Sequence, residues 1–376
     1  MTAATEAERR LLHETFARLC RIESPSGRER GCADAVSGEL RGLGLEVAED
    51  GAGTAIGGDC GNLLARIPGS GDRFILFCAH LDTVPLAAPV DPVVRDGAWQ
   101  NANEAILGAD DKVAVAAMLL LARRLTAAPA AVGVELLFTV GEELALAGVK
   151  EFETGVLRST LGYVFDSASP VGGVVVASPS HYRIAAELRG VAAHAGLAPE
   201  TGRSAILAAA RAIAGMRLGR IDSQSTANVG TISGGSAANV VPDRCRLVGE
   251  ARSLEGARAE QLASEIVECL TDAANDPECE CDLDVTVERE FDGYRVRPSS
   301  AEVALAFDAL RDCGFEPQPT TSGGGSDVNA LRARGLAVLN LANGTERVHE
   351  PGERIATTAL EAILDIAFAL VARAAG

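Results

Sequence analysis

Residues 74–78, Phe74-Ile75-Leu76-Phe77-Cys78, are apolar at every position, and a run of that length and character needs cover on both faces. The run at 132–140 makes the same demand, and a long apolar stretch at 111–127 between the two reads as a helix. Shorter strand-like runs lie at 61–67 and 162–165, and the turn Ile22-Glu23-Ser24-Pro25-Ser26-Gly27 can cap a helix over 28–42. Strands alternating with helices predict an α/β fold with helices on both faces of a sheet.

The rhythm changes after Pro179. Residues 183–189 alternate like a half-exposed strand, an alanine-rich helix is expected over 201–215, and strands follow at 226–232 and 244–252. A helix at 255–273 and a strand at 283–290 complete a βαββαβ order, which predicts a ferredoxin-like domain. The first pattern then resumes with a helix at 299–312, a strand at 336–341 and a helix at 357–373. At 376 residues the chain exceeds one small core. The expected organisation is a mixed-sheet catalytic domain over 1–179 and 293–376, interrupted by an inserted domain over 180–292.

A formal charge of −18, from 52 acidic and 34 basic residues, opposes binding to nucleic acid or to an anionic membrane. Most of the excess reads as solvated surface, and part of it as metal ligands. Residues 1–17 alternate charged and apolar positions and read as an amphipathic helix rather than a secretory signal. The nine cysteines are scattered, and Cys279 and Cys281 are too close together for a zinc-knuckle pair. A reduced, cytoplasmic chain is the expectation.

Five short segments put an imidazole or a carboxylate at a strand end or a helix start. His80 and Asp82 follow the first apolar run; two residues apart, they suit a ligating imidazole held by a carboxylate, or a histidine satisfied within a turn. Asp110 and Asp111 open a helix, where two acids can simply complement the helix dipole. Glu142 and Glu143 follow the second apolar run and point different ways, so one can bind metal while the other carries a proton. Asp166 ends a strand, and His349 lies in a glycine-bounded loop. Together they supply two of the chain's five histidines and a set of carboxylates, nearly all at the carboxyl ends of strands. Such mixed ligands suit zinc, cobalt or manganese.

In this order the segments resemble the co-catalytic metallopeptidase family that includes peptidase T, carboxypeptidase G, succinyl-diaminopimelate desuccinylase and aminoacylase. The form Gly108-Ala109-Asp110-Asp111-Lys112, with Gly141-Glu142-Glu143 and Ala193-His194-Ala195-Gly196, looks closest to the peptidase-T-like branch. The resemblance implies two divalent ions, zinc first. His80 and Asp166 would hold one and Glu143 and His349 the other, with Asp110 bridging, Asp82 orienting His80, and Glu142 as general base. It implies that 180–292 is a lid and homodimerisation domain, with His194 stabilising the oxyanion. Asn239 would lie near substrate, Arg252 would grip a substrate carboxylate, and Gly324 would sit in a substrate-side glycine run that could equally be a flexible turn.

The implied activity is amide hydrolysis of di- and tripeptides. An N-acyl amino acid deacylase with the same metal chemistry is the alternative, and a metal-binding relative without catalysis or an acidic scaffold dimerising through the lid are non-enzyme readings. Residues 86–106 around Trp99 read as polar and irregular, and His181 as structural or a hinge.

Overall fold

Thr5 and Glu8 cap the first helix reciprocally: the Thr5 hydroxyl accepts from the Glu8 amide and the Glu8 carboxylate from the Thr5 amide. That helix, α1 (Glu6–Cys20), is followed by α2 (Arg30–Gly42), β1 (Val47–Glu49), the short α3 (Ala52–Ile56), β2 (Leu63–Ile67) and β3 (Phe74–His80). The computed structural model describes residues 2–376, and the chain divides into two compact units: residues up to Ala177 with Arg295–Gly376, and Ser178–Tyr294.

After β3 come β4 (Pro92–Arg95) and β5 (Ala98–Asn101), a hairpin in the stretch expected to be irregular. Asp96 and Gly97 both have positive φ, 50° and 75°, as a two-residue primed turn requires. The Asp-Gly pair was therefore a hairpin signal in the sequence. The polar flanks hid it, because β4 and β5 join a small separate sheet rather than the apolar core.

The unit continues with α4 (Ala109–Ala127), β6 (Gly133–Thr139), α5 (Ala147–Glu151), β7 (Leu161–Ser167) and β8 (Gly173–Ser178). All seven residues of β3 and of β6 are buried, and α4 is apolar nearly all round, as a helix enclosed by other elements must be. Asp110 and Asp111 are non-helical, and the peptide bond joining them is cis.

The second unit holds β9 (Ser180–Arg189), α6 (Ala205–Gly215), β10 (Gly219–Asp222), β11 (Ser225–Gly234), β12 (Arg244–Ser253), α7 (Gly256–Asn275) and β13 (Asp282–Phe291). Its antiparallel sheet runs β10-β11-β12-β9-β13, the ferredoxin-like order with β10 added at the β11 edge. Ile184, Leu188, Leu247, Ala208, Ala212, Leu262 and Ile266 form its core between sheet and helices.

The chain passes back through β14 (Tyr294–Arg295) to α8 (Ala301–Asp312), β15 (Gln318–Thr321), α9 (Asp327–Ala333), β16 (Ala337–Ala342), β17 (Thr345–Glu346), β18 (Arg354–Ala356) and α10 (Thr357–Ala375). The main sheet of the first unit runs β1-β2-β6-β3-β7-β16-β8, with β15 beside β8. Its four central neighbours, β6, β3, β7 and β16, are mutually parallel, so their carboxyl ends open on one edge. The expected mixed α/β class with an inserted ferredoxin-like sandwich is what the chain adopts.

Phe77 anchors this arrangement: it is fully buried at the centre of β3, and its ring stacks on Phe165 of β7 at 6.5 Å. Phe77→Ala should cost about 3–5 kcal/mol. Urea unfolding followed by circular dichroism will show a lower midpoint, and an unchanged midpoint would refute that packing role.

Candidate metal centre

The four parallel strands deliver the functional side chains to one edge. His80 is the last residue of β3, Asp166 is the penultimate residue of β7, and Glu142 and Glu143 follow β6 after a turn at Gly141. That glycine has φ 61°, where a side chain would be strained. His349 lies in the loop between β17 and β18, and Asp110 precedes the regular part of α4.

Asp110 sits between the two imidazoles. Its Oδ1 is 3.5 Å from His80 Nε2 and its Oδ2 is 3.3 Å from His349 Nε2, which is also 2.7 Å from Glu143 Oε1. Two ligand-type groupings share Asp110: His80, Asp110 and Asp166, and Asp110, Glu143 and His349, each with its atoms within 4.8 Å of one another. Glu142 joins His80 and Glu143 in a third. The structure thus brings together all five positions read as ligands, with Glu142 alongside.

The electrostatics fit cations. Burial, then the neighbouring Asp110 and Glu142 carboxylates, pushes Asp166 well above the usual carboxylate range. Burial also raises Glu142, with Asp327, Glu143 and Asp82 adding to the shift against His80. Asp110 is pushed up by burial, but the two imidazoles outweigh this and hold it low. His349, hydrogen-bonded to Asp110 and Glu143, rises to about 10. Asp110 Oδ1 is buried with no hydrogen-bond partner. A divalent ion held there would meet the same negative charge that draws the two imidazoles to Asp110.

Other buried acids are occupied by backbone amides. Asp82 accepts from the amides of Glu142 (3.0 Å) and Glu143 (3.1 Å) and from the Ser26 hydroxyl (2.7 Å). Its carbonyl lies 3.0 Å from His80 Nδ1 and its Oδ1 3.5 Å away, so one residue orients the imidazole and holds the double-glutamate turn. Glu29 accepts from the Gly27 and Gly141 amides, and Glu353 from three amides around Asp110. Asn340 exchanges two hydrogen bonds with the Asp166 backbone. Asp327 takes the Thr139 hydroxyl at 2.5 Å, and burial lifts it to about 6.

The motif reading missed Glu29, Asn340 and Glu353, and took Asp327 only as the end of the glycine run at the substrate-side loop. Asn340 alone carried a clear signal, as a polar residue inside the apolar run of β16. Glu29 also approaches Asp59 and Cys60, but its Oε1 serves two amides and Asp59 Oδ1 accepts from the Arg30 amide.

A cavity of about 330 Å³ opens beside this cluster, lined by Asp110, Asp166, Ser167, Ser169, Ser322, Gly323 and Val348 among others. Gly324 adjoins it, its amide donating to the Ser322 hydroxyl. The glycine run then ends in a reciprocal cap between Ser326 and Asn329 that starts α9.

In the second unit, His194 and Asn239 are brought together, since His194 bridges to Val240 and the Ala195 amide donates to the Asn239 carbonyl. Both lie in segments beside the start of β12, whereas Arg252 is near its end, eight residues along or roughly 27 Å at about 3.4 Å per residue. Arg252 is held by Glu250 through two hydrogen bonds and pairs in register with His181. The His181 ring is tilted against Phe291 at 5.2 Å, with Nε2 3.2 Å from Glu250.

Comparison with known proteins agrees with this geometry. The peptidase dimerisation domain of the M20 peptidases matches residues 181–278, and peptidase family M28 matches residues 62–167, the stretch carrying every ligand position except His349. The aminopeptidase PepT from Bacillus cereus ATCC 10987 is 34% identical, covering 98% of this chain and 99% of that one, with a TM-score of 0.86. The chain belongs to the M20 family of metallopeptidases. Within that family it sits with the peptidase-T-like members: a tripeptidase from Staphylococcus aureus subsp. aureus Mu50 is 32% identical over 98% of both chains, with a TM-score of 0.89. The uncharacterized protein YqjE of Bacillus subtilis (strain 168) is 34% identical over 98% of this chain and 99% of its own length. Among the described residues no helix is long and apolar enough to cross a membrane, and all nine cysteines are free.

Because His349 is raised in the metal-free M20 chain, it binds a proton up to about pH 10 that a cation must displace. Metal loading at pH 8 should therefore release protons, and the release should fall as pH rises through 10. Calorimetry in buffers of different ionisation enthalpy measures this; no release at pH 8 would contradict the assigned charge balance.

Proposed function

We propose that the chain is an aminopeptidase that hydrolyses di- and tripeptides with two divalent ions, zinc in the first place. The observation that carries this reading is Asp110, whose two carboxylate oxygens face different imidazoles while Glu142 stands beside the same cluster. His80 and Asp166 would hold one ion, Glu143 and His349 the other, and Asp110 both. Bound there, such ions polarise the scissile carbonyl and acidify a water.

Glu142 is the residue of the cluster left for proton transfer. Its backbone is fixed by Asp82, and burial raises its affinity for a proton. It takes a proton as water adds to the amide carbon, and returns that proton to the nitrogen as the C–N bond breaks. The hydroxyl-lined cavity beside Asp166 gives the peptide a polar berth.

His194 suits oxyanion stabilisation. Its Nδ1 accepts from the Gly196 amide at 3.1 Å, so in the neutral ring the proton is on Nε2, which becomes the donor. Arg252 offers a guanidinium to the substrate carboxylate, sharing it with Glu250, and Asn239 lies beside His194. If two chains pair through the inserted domain, His194 of one chain would serve the cluster of the other.

Incubation with dipeptides, tripeptides and N-acetyl or N-succinyl amino acids, with and without chelator, tests the reading. Chelator-sensitive release of the amino-terminal residue from peptides is expected; turnover of the acylated compounds alone would identify a deacylase instead. Glu142→Ala should keep both ions and lose roughly 10²–10⁴-fold in kcat, whereas Asp110→Ala should lose the ions as well. Near-full activity in Glu142→Ala would remove it from the proton-transfer role.

Mixing inactive Glu142→Ala with inactive His194→Ala should restore about a quarter of the activity, the statistical share of intact sites after random exchange in a dimer. No recovery after demonstrated exchange would place His194 and Glu142 of one chain in the same site.

A further inference from the structure

Glu353 is 2% exposed, and among the described residues no ion pair accounts for its burial. Its carboxylate is filled by three backbone donors instead: Oε2 accepts from the Leu107 and Gly108 amides, both at 2.8 Å, and Oε1 from the Asp110 amide at 3.0 Å. All three belong to the segment that presents Asp110. Gly108 in that segment has φ 70°, so the chain turns sharply there and leaves its amides without helix or sheet partners.

Glu353 is also four residues beyond His349 in the loop that joins β17 and β18. That loop is closed on itself, with the Glu350 amide donating to the Arg347 carbonyl and the Glu353 amide to the Glu350 carbonyl. Its far end is pinned by β18, where Arg354 pairs with Gln100 of β5 and Glu346 of β17. The loop bearing His349 is thus a braced unit, and Glu353 is its attachment to the Asp110 backbone.

We propose that Glu353 is a positioning residue for both cation sites, tying the His349 loop to the Asp110 segment so that the two ions bind as a coupled pair. This rests on the reading of Asp110 and His349 as cation ligands. Asp110 serves both sites, so a shift of its backbone disturbs both, whereas loss of His349 removes a donor from one. Buried groups of this kind, which orient metal ligands, typically affect metal affinity by about 10–100-fold.

Glu353→Gln is nearly isosteric but turns an NH₂ toward amide donors, donor against donor. The test titrates Co²⁺ into metal-free protein, reading stoichiometry, affinity and the visible absorption of the bound ion, with circular dichroism of the metal-free form as the measure of folding. The unaltered protein should take two ions and His349→Ala should lose one; failure of the unaltered protein to bind two would refute the ligand reading itself. With that established, Glu353→Gln should weaken both ions by about 10–100-fold and change the absorption band while the metal-free protein stays folded. Glu353→Asp, which keeps a carboxylate, should recover part of the affinity. Unchanged affinity and spectrum in Glu353→Gln would overturn the proposal, as would weakening confined to one ion. Loss of folding in both variants would also overturn it, because Glu353 would then hold the fold rather than the centre.

Discussion

Glu142 and Asp166 converge with Asp110 and Glu143 in one cluster, and the negative charges of Glu142 and Asp166 are opposed both by lost solvation and by neighbouring carboxylates. The surrounding structure answers that repulsion in two ways. The inward-facing acids meet imidazoles and leave room for cations. A second set, Asp82, Glu29 and Glu353, is hydrogen-bonded by backbone amides. These amides belong to the very turns that carry the first set, so acids that bind no ion fix the acids that can.

The four parallel strands explain why this can be built at all. A parallel strand pair presents its carboxyl ends together, and β6, β3, β7 and β16 are contiguous. Residues far apart in the chain, from His80 to His349, therefore meet without any long excursion. The close-packed interior below, with Phe77 against Phe165, sets the spacing of those ends.

Legibility in the sequence followed the strength of the local signal. Apolar runs ending in His80 or Glu142 announced both the buried strands and their functional tips, because burial on two faces leaves little freedom in composition. The βαββαβ order of the second unit was readable from strand alternation and the alanine-rich run, whose helix the structure starts at Ala205 behind a Ser204 cap. The β4–β5 hairpin escaped because neither strand has an apolar face, although Asp96-Gly97 marked its turn. Glu353 and Glu29 were invisible for a different reason. Their partners are backbone amides, which every residue carries, so nothing at Leu107, Gly108 or Gly141 signals that a carboxylate is needed there. The added strand β10 was similarly hidden, being four mostly exposed residues on an edge.

The interrupted chain order of the first unit has a consequence for synthesis. His349, Glu353 and the strand β16 all lie after the inserted unit, within Arg295–Gly376. On the ribosome, everything up to Tyr294 emerges while the parallel sheet still lacks β16 and the Asp110 segment lacks its carboxylate anchor. The nascent chain can shape the inserted domain early, since its strands and helices are contiguous in sequence. Assembly of the His80, Asp110, Glu143, Asp166 and His349 cluster waits for the segment that follows the inserted unit, so a chain stopped at Tyr294 lacks His349 and the Glu353 anchor.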